Sequence, residues 1–77
     1  MSKKIICKAI IDNAEAKGFI LSKAANKDQR LAVLNEYRKE KNALIHSGKY
    51  DKLLTPVVMS QVSEWLSDLY TTAKSEI

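Results

Sequence analysis

Apolar positions recur at helical spacing in three blocks of this chain, and each block is bounded by residues that start or stop helices. The first block covers residues 3–17. Wound at about 3.6 residues per turn, Ile5, Ala9 and Ala16 open an apolar arc that runs through Ile6, Ile10 and Ala14 to Cys7 and Ile11. That arc covers roughly two thirds of the circumference, whereas an ordinary amphipathic helix buries a stripe somewhat wider than ~100°. Lys4, Lys8, Asp12 and Glu15 make up most of the polar remainder. So much apolar surface predicts cover from more than one side, by the rest of the chain or by another molecule. Ile5, Ile6, Ile10 and Ile11 are therefore the first candidates for a protein interface.

Gly18 closes the first helix in the manner of a left-handed C-cap, with Phe19 as the accompanying hydrophobic contact. Phe19-Ile20-Leu21 reads as an extended linker anchored in the core. Ser22 offers an early start for the second helix, but Asn26-Lys27-Asp28-Gln29 is the stronger one: Asn26 caps, Asp28 favours the first turn and Gln29 reaches back. Leu31, Leu34, Tyr37, Leu44 and Ile45 then share a face, predicting a helix over 26–46 that stops at Ser47-Gly48 with His46 in its last turn. After a connector holding Tyr50, Leu53 and Leu54, Thr55 as N-cap and Pro56 at the first helical position start a third helix over 56–74. Val58, Val62, Trp65, Leu66, Leu69 and Ala73 lie down one side of it. Ser60, Ser63, Ser67, Thr71 and Lys74 lie down the other. The expectation is a single all-α domain over 1–77, a small three-helix bundle.

Length sharpens the prediction of assembly. A chain of 77 residues buries only about 60% of its unfolded surface, and chains of this size commonly lean on disulfides, metal or association. Cys7 is alone, which leaves no internal disulfide and no Cys/His set for structural zinc. Association, as a homodimer or with another protein, is the aid left over. No stretch approaches the ~20 apolar residues of a membrane span, and Lys8 and Asp12 interrupt the apolar run near the N-terminus, unlike a secretory signal. A soluble, cytoplasmic protein is expected.

The net charge of +4 conceals an asymmetry: residues 1–54 hold 12 Lys/Arg against 6 Asp/Glu, whereas residues 55–77 hold 1 against 3. A basic body thus adjoins an acidic C-terminal segment, which suits pairing between copies or with an anionic partner. On the second helix Lys41 projects from the middle of the apolar face and Arg38 lies near its margin. They read either as snorkelling cations or as selectors of an acidic partner such as the Glu64/Asp68 edge of a second copy. Tyr70, beside the apolar face of the third helix, is a further candidate contact; Trp65 reads as core.

Enzymatic chemistry has little to work with. Cys7 and His46 are the only Cys/His pair; the first lies within an apolar arc that disfavours a thiolate, and the second suits a helix C-terminus. Glu36 and Glu40, among Lys39 and Lys41, read as a mixed solvated face. Gly18 and Gly48 are the only glycines, so no phosphate loop exists. No catalytic residue, cofactor, metal or small-molecule substrate is inferred. The leading expectation is a non-enzymatic helical interaction module: a regulator, adaptor or inhibitor. The alternative is a DNA-binding regulator. The spacing of Ala14, Gly18 and Phe19 resembles the general helix-turn-helix pattern, which implies that Ser22, Lys23, Asn26, Lys27 and Arg30 enter a groove from the second helix. Asn13 departs from that pattern, which commonly has an apolar residue there.

Overall fold

A computed structural model describes residues 2–75. They form three α-helices packed against one another: α1, Ser2–Ala16; α2, Lys27–Ser47; and α3, Pro56–Ser75. A single 3-10 turn, Leu21–Lys23, interrupts the first joint. The expected all-α three-helix bundle is the observed one, with helix limits shifted by a residue or so.

Local chemistry accounts for the helix ends. The N–H groups of Gly18 and Phe19 donate to the carbonyls of Glu15 and Ala14 (2.9 Å each), a Schellman closure. It requires a left-handed residue, and Gly18 supplies it at φ +91°. Asn26 Oδ1 accepts from the Gln29 N–H at 2.9 Å, while the Gln29 side chain accepts from the Ala25 N–H at 2.7 Å. Gln29 therefore reaches one residue further back than in the standard box. Thr55 Oγ1 caps α3 by accepting from the Val58 N–H at 3.2 Å.

The core corrects one expectation. Ile6 and Ile10 are 1% and 0% exposed and pack with Leu34, Val62 and Leu66 inside the chain's own bundle. They are structural, and their place among the interface candidates falls. Ile11 is half-buried against the same core, and only Ile5, at 49% exposure, remains largely open. The two other helices and the connector residue Leu54, which lines one hollow together with Ile6, shelter more of α1 than its periodicity suggests.

Glu36 and Glu40 correct a second. They are buried in the α1–α2 seam rather than solvated. Lys17, just past the end of α1, reaches both carboxylates: its Nζ lies 3.5 Å from Glu36 Oε2 and also donates to Glu40 Oε1. The carboxylates, one turn apart on α2, would repel each other without that shared cation.

Candidate protein-interaction face

α2 and α3 run antiparallel, and two polar contacts pin their register. Lys41 Nζ donates to Ser63 Oγ at 3.1 Å, and Tyr70 Oη donates to Asn35 Oδ1 at 2.6 Å. Deeper in, the rings of Tyr37 and Trp65 stack with centroids 5.9 Å apart and planes 12° from parallel. Stepping back from Lys41 by three residues on α2 therefore places Arg38 level with residues 66 and 67 of α3.

Beside this seam lies an open groove of about 390 Å³ with Leu66 at its floor. Three cations stand around it: Arg38 and Lys41 from α2, and Lys74 from α3, whose Nζ lies 5.8 Å from the centre of the Tyr70 ring. Ser63, Ser67 and Tyr70 contribute hydroxyls. Their spacing along α3, successive steps of four, three and four residues to Lys74, puts them on one stripe. Among the described residues, none lining the groove is acidic, and Arg38, Lys41 and Lys74 make no ion pair. The groove thus holds uncompensated positive potential over a partly apolar floor.

Lys41 and Ser63 also border a smaller hollow of about 40 Å³, lined otherwise by apolar groups including Ile6, Leu44, Leu54 and Met59. It has room for the tip of a small apolar side chain. The cation groove and the apolar hollow share Lys41 and Ser63 as lining residues. The nearby exposed apolar residues are Val57 and Met59, at 66% and 37%.

The candidate residues sort clearly on this framework. Arg38, Lys41 and Tyr70 are brought together in the groove, and Lys41 lies between the two features, bordering the apolar hollow and donating to Ser63 at the groove's edge. Ser63, Ser67 and Lys74 complete the set. The polar face of the third helix signalled them, but their position opposite Arg38 depends on how the helices pack. The proposed nucleic-acid contacts do not all lie on the second helix. Ser22 and Lys23 lie in the 3-10 turn, Asn26 uses its side chain as a cap, and only Lys27 and Arg30 belong to α2. Arg30 is half-buried in a hollow with Leu34, Leu69 and Ala73. Ten residues separate α1 from α2, where a helix-turn-helix has a turn of about three or four.

Three titratable groups bear on chemistry elsewhere. Burial raises the Cys7 thiol, and nearby Lys3 offsets this only in part. The sulfur therefore favours the unreactive thiol form. Glu40 is held below the usual carboxylate range chiefly by its hydrogen bond from Lys17, against the opposing effect of burial, and the Lys17 charge adds to the lowering. The same hydrogen bond to Glu40 raises Lys17. This cluster has the marks of a structural strap: its carboxylates are occupied and face another helix. Among the described residues there is no group of three or more His, Cys, Asp or Glu placed to hold a metal, and no helix long and apolar enough to cross a membrane.

The chain matches no protein-family model, no curated protein and no solved structure.

Proposed function

We propose that this protein is a non-enzymatic interaction module that binds a protein partner through the α2–α3 face. The observation that carries the reading is the groove itself, where Arg38, Lys41 and Lys74 converge without a carboxylate among the described lining residues. Such a site favours an acidic partner by charge complementarity, which contributes selectivity and encounter rate more than raw affinity. The adjoining hollow adds a place for one apolar anchor. A partner helix with carboxylates on one stripe and an apolar residue beyond them matches that combination, as in helix-in-groove recognition. A role as regulator, adaptor or inhibitor follows naturally from binding without chemistry.

The test is fluorescence anisotropy with two labelled probes: an acidic amphipathic helical peptide carrying one leucine, and a duplex DNA of arbitrary sequence. The peptide should bind, lose affinity with added salt, and lose it again when Arg38 and Lys41 are both changed to Glu. The reading is overturned if, at low salt, the chain neither binds the peptide nor self-associates through Arg38 and Lys41. It is equally overturned if the duplex binds and the loss maps to Lys23, Lys27 and Arg30 instead.

A further inference from the structure

We infer that the occupant of the groove is α3 of a second copy, lying alongside α3 of the first and running in the same direction. The inference rests on the interaction-face reading and names its partner. Going around α3 at about 100° per residue, Leu66 faces the core and Ser63, Ser67 and Lys74 face the groove. Glu64, Asp68 and Val57 lie further round, on the flank away from α2. Between groove and acidic flank run short side chains, Ser60, Ser67 and Thr71, which allow another helix to approach closely. Each protomer therefore carries cations on one side of this line and carboxylates on the other.

Symmetry decides the direction. A two-fold axis parallel to α3 sets the acidic flank of each copy against the cationic edge of the other, twice over. An axis perpendicular to the helices sets acidic flank against acidic flank and cations against cations, which repel. The parallel arrangement also matches level by level. Lys41 is fixed at Ser63 by its hydrogen bond, so it meets Glu64 of the second copy. Arg38, level with residues 66 and 67, meets Asp68. Val57, two turns before Glu64 and 66% exposed, arrives at the end where the apolar hollow opens. The charge asymmetry of the chain, basic through residue 54 and acidic after it, is what such a pairing neutralises. A stable dimer needs roughly 800 Å² from each partner, a modest share of the 5239 Å² the chain exposes.

Sedimentation of the full chain over a range of concentration and salt tests this, with helicity followed by circular dichroism. A dimer that weakens with salt is expected. Lys41→Glu and Glu64→Lys should each weaken it on the order of tenfold, and both changes in one chain should restore it, because the pairs are then reversed rather than lost. Direction is read by oxidative cross-linking in a Cys7→Ser background. Ser60→Cys and Thr71→Cys should both self-cross-link in the parallel dimer, whereas an antiparallel pair allows at most one. A monomer at every concentration, a dimer indifferent to the charge changes, or failure of the double change to restore it overturns the inference. A monomer that still binds the acidic peptide through Arg38 and Lys41 overturns the second-copy occupant alone and leaves the interaction module standing.

Discussion

Ile10 shows what a single position carries in so small a bundle. It is completely buried, so truncating it removes apolar contacts and leaves a cavity that the surrounding structure fills only in part. Ile10→Ala should lower stability by about 2–5 kcal/mol, the span for buried aliphatic truncations, read from urea denaturation. That is a large fraction of what a domain this size possesses. Residue-scale features were also the most legible in the sequence. Asn26, Gly18 and the Thr55-Pro56 pair act through hydrogen bonds and dihedral limits within a few residues of themselves, so their roles survive folding almost unchanged. Glu36 and Glu40 were misread for the opposite reason. Their burial depends on Lys17, some twenty positions away, being carried over them by the end of α1. Nothing in the local run of charges on α2 announces it.

At the scale of elements, that strap gives the α1–α2 seam a defined response to acid. Glu40 has a depressed pKa in the folded state, so its contribution is fully present above its unfolded value, about 4.5, and is lost as pH falls through the folded value. Thermal denaturation followed below that point should show stability declining, and Glu40→Gln should flatten the decline while leaving a less stable protein at neutral pH. The Lys17 side works in the other direction. Its raised pKa makes its contribution complete below its unfolded value of about 10.5 and lost only as pH rises through the folded value. Apolar periodicity correctly located all three helices, since it reports which face turns inward. It overstated the exposure of α1 because periodicity counts apolar arc without knowing how much of it neighbours reach. The groove was half legible: Arg38, Lys41 and Tyr70 stood out as irregularities, but their convergence with Lys74 is a product of the antiparallel register.

For the whole molecule, the proposed pairing would couple association to stability. If folded chains pair through the α2–α3 face, mass action favours the folded state. The melting temperature should rise with protein concentration at low ionic strength. That dependence should shrink at high salt, where surface pairs are screened. Differential scanning calorimetry at several concentrations checks it, and a melting temperature independent of both variables would count against pairing. The body of the bundle needs no second copy to enclose Ile6 and Ile10, so the expected dimer joins two finished domains.

The joints between the helices bear on time as well as shape. Ten residues link α1 to α2 and eight link α2 to α3, so each helix meets its sequence neighbour across a short loop. Proteins dominated by such near-in-sequence contacts fold in microseconds to milliseconds, well ahead of most encounters between molecules at ordinary concentrations. The α2–α3 face is consequently formed before a partner of the proposed kind could arrive, so the proposed recognition would join preformed surfaces rather than proceed through folding on contact.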